Sequence, residues 1–173
     1  QRKLAPAPPV QERLPQPKSI SYKGYILDLT HRFTLNAVVL SQRYYDDDRE
    51  ADLAKVDLAV GWGPMSHPDI LNSIKVAQSN RYYYFRYTSD LPVSHSVILR
   101  NSSNIHIIPA NGSVYKKILS AQRGRMISLS GYLVNVKSNS MDWSWNTSLS
   151  RADTGDGACE IILVDYAEVV NPV

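Results

Sequence analysis

The sequence predicts an α+β domain in which antiparallel strands dominate. Three observations favour this class. Eleven tyrosines and three tryptophans against two phenylalanines supply side chains that are apolar on one side and hydrogen-bonding on the other, which suits sheets and interfaces. Several runs alternate β-branched or aromatic residues with polar ones, as half-buried strands do. A length of 173 residues, 43% of them hydrophobic, is enough for one core.

Residues 1–19 differ from the rest and are predicted to be a flexible leader or tether. The segment QRKLAPAPPVQERLPQPKS holds five of the ten prolines and no periodic apolar pattern, as extended polyproline-like tethers do. Its four basic residues and one acidic residue account for the whole net charge of +3. The single domain predicted for residues 20–173 is therefore neutral, which gives no strong signal for nucleic-acid binding.

Two strands, split at Thr30 and His31, are predicted between residues 21 and 45. The runs SYKGYILDL and RFTLNAVVLSQRYY are β-branched and aromatic with partial alternation. The acidic residues 46–48 that follow are predicted to be a polar loop. Their carboxylates are contiguous, and no glycine supplies the turn of a calcium loop, so no metal site is predicted there. Residues 56–60 then read as a short strand.

Trp62 lies between two glycines that permit a tight turn. Its indole either packs into the core, which is the favoured interpretation, or lies over a ligand. Pro68 suits the first position of a helix, which predicts a short helix over residues 68–74. The run RYYYFRY at residues 81–87 is the most strand-like in the chain. One face of this strand carries three side chains that could stack on a ligand, Tyr82, Tyr84 and Arg86.

The second half of the domain predicts one helix among strands. The helix covers residues 113–122 because Val114, Ile118 and Ala121 form one apolar stripe. Gly131 interrupts a long alternating run and predicts a bend in a strand. The remaining predicted elements, in chain order, are a short helix or strand at residues 96–102, a buried strand at 105–108, the bent strand at 125–138, a strand with Trp143 and Trp145 on one face, and a last strand at 159–170.

The segment of residues 104–136, NIHIIPANGSVYKKILSAQRGRMISLSGYLVNV, resembles small OB-like barrels. In such barrels a strand interrupted by glycine coils round the core. The resemblance covers about a fifth of the chain. It implies that the domain is a single curled sheet or an OB-like barrel with one or two short helices.

A broader pattern, DLAVGWGPMS, SSNIHIIPA, GYLVNV and SLSRADTGDGACE, is similar to a family of uncharacterised proteobacterial proteins with an N-terminal anchor or signal and a proline-rich spacer. The resemblance implies a periplasmic protein, or a membrane-anchored one that faces the periplasm. The chain begins at Gln1 rather than Met, which fits a removed signal peptide or anchor, or an arbitrary boundary. Since no run approaches about 18 apolar residues, membrane contact is expected only through sequence upstream of Gln1.

The segment SLSRADTGDGACE contains Cys159, the only cysteine in the chain. If His106 lay within hydrogen-bonding reach of Cys159, with Asp153 or Asp156 orienting the imidazole, the three would form the nucleophile, base and acid of a hydrolase or transferase. Arg151 is a further candidate in this loop, whose amides could stabilise an oxyanion. Alternatively, Cys159 is a small hydrophobic residue at a strand start, and the charged residues fold their loop.

The aromatic residues suggest a binding function instead. With Trp143 and Trp145, the tyrosine-rich strand could form a stacking platform for single-stranded nucleic acid or sugars, although packing of sheet against sheet explains the same residues without a ligand. The candidate binding residues are Trp62, Tyr82, Tyr84, Arg86, Trp143 and Trp145. The four histidines share no metal-binding spacing, so neither a metal nor a cofactor is predicted.

The leading functional hypothesis is a non-enzymatic binding or assembly module of the bacterial cell envelope, held by the leader. Its partner would be another envelope protein or a second copy of the chain. The sequence has no complete catalytic motif but has many tyrosines and tryptophans of the kind enriched at interfaces. The Cys159 and His106 enzyme and the OB-like binder of nucleic acid or glycan are the alternatives. The distance between Cys159 and His106 tests the first, and salt-dependent binding of short single strands tests the second.

Overall fold

A computed structural model describes residues 4–149 and 159–171 of the chain. Nine strands and three short α-helices are present in these residues. The strands are β1 Val10–Tyr22, β2 Tyr25–Tyr44, β3 Val56–Gly61, β4 Lys75–Ser79, β5 Tyr82–Arg86, β6 Ser102–Pro109, β7 Met126–Ser138, β8 Ser144–Trp145 and β9 Glu160–Val170. The helices are α1 Pro68–Leu71, α2 His95–Arg100 and α3 Gly112–Leu119.

Seven of the strands form one sheet in the order β1, β2, β3, β6, β9, β7, β8, and β2 also pairs with β7. Every pairing is antiparallel except that of β6 with β9. The pairings therefore run through β3, β6, β9 and β7 and return to β2. However, β7 pairs with residues 25–38 of β2 and β3 with residues 38–44. Because these stretches meet rather than overlap, the sheet is curled and is not a closed barrel. The predicted α+β class with a mainly antiparallel curled sheet is confirmed.

The predicted split at Thr30 and His31 is a bulge inside one strand of 20 residues. The register between β2 and β7 shifts between Leu29 and His31, so Thr30 has no direct partner. A bulge bends a strand without ending it. Leu27 and Leu29 consequently pack in one hydrophobic cluster, while Phe33 and the residues after it pack in another.

The prediction of a flexible leader is wrong for residues 10–19, because they lie in β1 and pair with β2. The prolines are tolerated because β1 is an edge strand, where missing amide donors do not interrupt a ladder. The register also shifts between Arg13 and Lys18, around Pro15 and Pro17. Further upstream, Ala5 is buried, and its carbonyl accepts a 2.7 Å hydrogen bond from the Gly63 amide.

The predicted helix at residues 113–122 is confirmed as α3, whose N-terminus is capped by the Asn111 side chain accepting from the Val114 amide at 3.0 Å. The predicted helix at Pro68 is α1, and the ambiguous run at residues 96–102 is helical in α2. The predicted bend at Gly131 is also confirmed, since the register of β7 against β9 shifts between Ser130 and Gly131.

Two structural features position the candidate site. The strands β3, β6 and the first half of β9 are buried on both faces, so polar residues on them lie inside the molecule. The hairpin of β4 and β5 packs on this sheet through Tyr83 and Phe85. Its two-residue turn, Asn80 and Arg81, thereby reaches the polar residues of β3 and β6.

Candidate functional site

A polar cavity of about 320 Å³ opens beside β6 and the start of β9. His106 projects from β6, Cys159 directly precedes β9, and Arg81 comes from the turn between β4 and β5. The cavity walls also include Trp145 of β8 and side chains of the connection between β2 and β3. Because five separate parts of the chain contribute, the cavity exists only in the folded sheet.

Strand register brings three chemically active side chains together. Asp57 of β3 lies directly opposite His106 of β6, and directly opposite residues share one face of a sheet. On its other side His106 lies opposite Ile161 of β9. Side chains alternate between faces along a strand, so Cys159 lies on the same face as Ile161. Asp57, His106 and Cys159 are therefore arranged in sequence across three adjacent strands.

His106 is the central residue of this arrangement. Its Nδ1 lies 2.9 Å from Oδ1 of Asp57, with side chains 2% and 0% exposed. The N–H direction is not aligned for a hydrogen bond, so the contact is chiefly electrostatic. The Cys159 side chain lines the same cavity as this imidazole, contributes to raising the imidazole's pKa and is partly exposed. The arrangement thus joins a buried carboxylate, a buried imidazole and an accessible thiol.

The buried charge of Asp57 is compensated on several sides. Arg81 donates from Nη1 to Oδ1 of Asp57 at 2.7 Å, and Asn104 donates to Oδ2 at 3.2 Å. The same guanidinium donates to both carboxylate oxygens of Asp48 at 2.8 and 2.9 Å and to the Ala54 carbonyl at 2.8 Å. A buried ion is tolerable only with such partners. The network therefore fixes the position of Asp57 beside His106.

The surroundings of His106 favour its protonated form. Burial by itself lowers the pKa of His106, but the Asp57 carboxylate and the Cys159 side chain together outweigh burial and raise the pKa to about 9. The imidazole is consequently an imidazolium at neutral pH, lying between a carboxylate and a thiol.

The turn that carries Arg81 has an unusual backbone. Asn80 and Arg81 have φ values of 51° and 69°, the left-handed conformation of both central residues in a type I′ hairpin turn. Non-glycine residues adopt it at a cost and need fixing by their surroundings. The Arg81 amide donates to the Tyr45 hydroxyl at 3.1 Å, and its carbonyl accepts from Asn104 at 2.9 Å and from the Cys159 thiol at 3.5 Å.

Trp145 forms an aromatic wall of the cavity. Its ring centroid lies 4.9 Å from that of His106 and 5.8 Å from the Arg81 guanidinium. Arg81 lies between Trp145 and Tyr45, whose ring is 4.2 Å away. Thr147, two residues after Trp145, connects the end of β8 to β9, since its hydroxyl accepts a hydrogen bond from the Ile161 amide at 3.0 Å. The indole is thereby held beside the imidazole.

The structure brings two of the predicted catalytic residues together. His106 and Cys159 line the same cavity, whereas Arg151, Asp153 and Asp156 lie outside the described residues. The acid beside His106 is Asp57, which the sequence reasoning missed. The signal was present, because Asp57 is the only charged residue in the apolar run VDLAVG, and a buried strand tolerates a charge only when that charge has partners.

The six predicted binding residues do not form one surface. Tyr82 and Trp145 line the cavity, and Trp143 packs behind Trp145 at 6.4 Å. Tyr84 and Arg86 are exposed farther along β5. Trp62 is 1% exposed and packs in the hydrophobic core, as the favoured interpretation of its sequence predicted, so it is unavailable to a ligand.

Among the described residues, no group of three or more histidine, cysteine or carboxylate side chains is arranged to hold a metal ion. None of the helices in residues 4–149 and 159–171 is long and apolar enough to cross a membrane. Comparison with protein-family models, with curated proteins and with solved structures found no match.

Proposed function

We propose that the protein is a thiol-dependent acyl-transfer enzyme, a hydrolase or transferase. Cys159 is the nucleophile and His106 is the acid and base. Asp57 orients the His106 imidazole and favours its protonated form. The observation that carries this proposal is that Cys159 and His106 line the wall of one open polar cavity, while the buried Asp57 carboxylate lies 2.9 Å from the His106 imidazole. A nucleophile, a base and an orienting acid in this order is the general arrangement of nucleophilic catalysis.

Each step of the reaction follows from this geometry. The Cys159 thiolate attacks the carbonyl carbon of an ester or amide, and the carbonyl π electrons move to oxygen. When the carbonyl re-forms, the leaving group departs with its bonding electrons and takes a proton from the His106 nitrogen that does not face Asp57. Water or an acceptor then gives its proton to His106 while attacking the thioester. Cys159 leaves as thiolate, and the imidazolium is restored.

Candidate oxyanion donors are present in the same cavity. Asn80 and Asn146, whose side chains carry amide N–H groups, line it together with Cys159. An amide N–H directed at the developing oxyanion contributes substantially to catalysis of acyl transfer. Asn80 is carried by the fixed turn before Arg81, which supplies the rigidity that such a donor needs.

The strand order supports an OB-like topology, which we also propose. Five strands, β2, β3, β6, β9 and β7, follow one another around the curl, β6 and β9 are parallel, and α3 connects β6 to β7. OB-folds are five-stranded, partly open barrels that bind ligands on their second and third strands and on the loops between strands 1 and 2 and strands 4 and 5. The cavity lies at the corresponding place, against β6 and the connections from β2 to β3 and from β7 to β9.

The other functional hypotheses stay predictions. A binder of nucleic acid or glycan would use the same cavity and Trp145 without the thiol, so its ligand would still bind a Cys159→Ala variant. The envelope location, the assembly role and an envelope partner rest on the sequence resemblance alone. The thiol beside a charged imidazole is what favours the enzyme over these alternatives.

Acylation by p-nitrophenyl acetate tests the proposal, because Cys159 is the only thiol in the chain. Intact-mass spectrometry should detect one acetyl group on the protein and none on Cys159→Ala. His106→Gln should slow acylation about 100-fold or more, the usual contribution of a positioned acid or base. His95→Gln, a change at an exposed histidine, is the matched control and should leave the rate unchanged.

The proposal would be overturned by a Cys159 that reacts no faster than free cysteine and is insensitive to His106→Gln. Circular dichroism of each variant separates this result from unfolding. Iodoacetamide, which needs no leaving-group protonation, provides a second rate for the thiol. A slow rate with both reagents in a folded protein would mean that Cys159 is a packing residue and not a nucleophile.

A further inference from the structure

The cavity that contains Cys159 also has acidic lining residues. Asp48 and Glu50 both line it, and the segment of residues 46–52 contains five carboxylates and one arginine. Asp48 also caps the 3-10 turn Glu50–Asp52, since its Oδ1 accepts from the Ala51 amide at 2.9 Å. This hydrogen bond fixes the backbone that presents Glu50 to the cavity.

The two carboxylates differ in their partners. Asp48 accepts two hydrogen bonds from Arg81, so its charge is matched inside the protein. Glu50 forms no ion pair with a lysine or arginine in the part of the chain that the structure describes. The single arginine of the segment, Arg49, instead lies over the Trp143 ring at 5.8 Å. Within the described residues, Glu50 therefore lines the cavity without a lysine or arginine ion pair of its own.

The cationic groups in the cavity are already occupied. The Arg81 guanidinium donates to Asp48, to Asp57 and to the Ala54 carbonyl. The His106 imidazolium lies between Asp57 and Cys159. Burial, followed by the Asp48 carboxylate, raises the pKa of Glu50 even though its own backbone amide and Arg81 lower it. An incoming cation would relieve this unfavourable environment.

We propose, building on the acyl-transfer function above, that the substrate carries a cationic group, an ammonium or guanidinium, which pairs with Glu50 while its acyl carbon meets Cys159. Trp145 provides an aromatic face in the same cavity, on which the stem of such a group can lie. An anionic substrate would instead meet the carboxylate of Glu50 and be repelled. The site thus selects its substrate by charge.

Methanethiosulfonate reagents of different charge test this inference, because they report on Cys159 alone. The Cys159 thiolate attacks the sulfenyl sulfur, a disulfide forms, the bond to the sulfonyl group breaks, and methanesulfinate leaves with the electron pair. The 2-aminoethyl reagent is cationic and the 2-sulfonatoethyl reagent is anionic. The measured quantity is the rate with the cationic reagent divided by the rate with the anionic reagent. We expect this ratio to be about tenfold higher for Cys159 than for free cysteine, because one partly screened negative charge a few ångströms away attracts the cation and repels the anion.

Glu50→Gln should bring the rate ratio to within about twofold of the value for free cysteine. Glu168→Gln is the matched control, since Glu168 is an exposed carboxylate on β9 that pairs with Lys117 and does not line the cavity. In the protein without substitutions, 1 M salt should also reduce the rate ratio, because it screens the charge of Glu50. That measurement keeps the test valid even where Glu50→Gln fails to fold.

The outcomes separate the two proposals. Rapid reaction of Cys159 with both reagents and no charge preference would overturn the proposal of a cationic substrate. The proposed acyl-transfer function would be unaffected. Slow reaction with both reagents, unaffected by His106→Gln, would overturn the acyl-transfer function itself. A preference for the anionic reagent would contradict the inference most directly.

Discussion

Asp57 determines the charge balance of the cavity. Its carboxylate lies against two cations, Arg81 at 2.7 Å and His106 at 2.9 Å, and all three groups are largely buried. Two cations beside one carboxylate need further negative charge, which Asp48 supplies to Arg81. The protonation of His106 is therefore coupled to one buried carboxylate.

This coupling predicts a loss of stability at alkaline pH. The pKa of His106 is raised to about 9 in the folded protein and is about 6.5 in an unfolded chain. Since the folded pKa is the higher one, protonation stabilises the fold fully below pH 6.5, and this contribution disappears as the pH rises through 9. It amounts to roughly 3 kcal/mol. Urea unfolding of the protein between pH 6 and 10 should show the decline.

Asp57→Asn removes the carboxylate that raises the pKa of His106, and in this variant the decline should be much smaller. His31→Gln, a change at a histidine of β2 whose neighbour is Thr30, should keep the full decline. A flat stability profile for the unchanged protein from pH 6.5 to 9 would contradict the protonated state assigned to His106.

Part of the site could be predicted from sequence at this scale. Cys159 and His106 stood out because each is rare in the chain or isolated in an apolar run. Asp57 could not be assigned to them, because its position opposite His106 depends on the pairing of β3 with β6. These strands are separated by 40 residues that form their own hairpin and helices, and no local pattern encodes that register.

At the scale of elements, the hairpin of β4 and β5 delivers Arg81 to the site. Strand β5 was predictable because RYYYFRY has strong strand propensity, whereas β4 was not predicted. The turn between them was not predictable, since Asn-Arg is a less typical type I′ pair than Asn-Gly. The turn conformation is held by two tertiary hydrogen bonds: the Arg81 amide donates to the Tyr45 hydroxyl, and Asn104 donates to the Arg81 carbonyl. Strand β1 was missed for a related reason, because its prolines argue against a strand until an edge position is known.

The left-handed turn predicts how Asn80 tolerates substitution. Asn80→Gly should preserve stability within about 1 kcal/mol, because glycine adopts positive φ freely. Asn80→Val should destabilise the protein by about 1–2 kcal/mol, because a β-branched side chain clashes in this region. Lys75→Val, at an exposed position of β4, is the control and should be nearly neutral, since valine suits strands.

Thermal unfolding of the three variants measures these effects. Because Asn80 precedes Arg81, Asn80→Val should also weaken the contacts of the guanidinium with Asp48 and Asp57, and so slow the reaction of Cys159 with iodoacetamide. Equal stabilities for the glycine and valine variants would show that the turn is not left-handed.

For the whole molecule, the curl of the sheet is what assembles the site. Strand β2 pairs with β7 along one half and with β3 along the other. The strands that carry Asp57 and His106, and the strand that follows Cys159, therefore lie side by side in one curled sheet. The bend in β7 and these strands were predicted from the sequence. The double pairing of β2 was not, because it depends on contacts between residues about 100 positions apart along the chain.

Gly131 is the position at which this curl is tightest, and it gives the last prediction. A Cβ at Gly131 would overlap the carbonyl oxygen of Leu163 and approach the Cα of Val164 to 2.9 Å. These are backbone atoms of β9 and cannot rotate away, so Gly131→Ala must separate β7 from β9. We expect a loss of about 3 kcal/mol or more in urea unfolding, the range of severe overpacking.

Gly112→Ala is the matched control, because a Cβ at Gly112 meets nothing within 4 Å and alanine is the better helix former. It should leave stability unchanged or raise it by up to about 1 kcal/mol. Since β9 follows Cys159 directly, Gly131→Ala should also displace the thiol from His106 and slow its acylation. Normal stability and normal acylation in Gly131→Ala would mean that β7 and β9 do not cross as closely as the fold requires. The site would then have to be held by β3 and β6 alone.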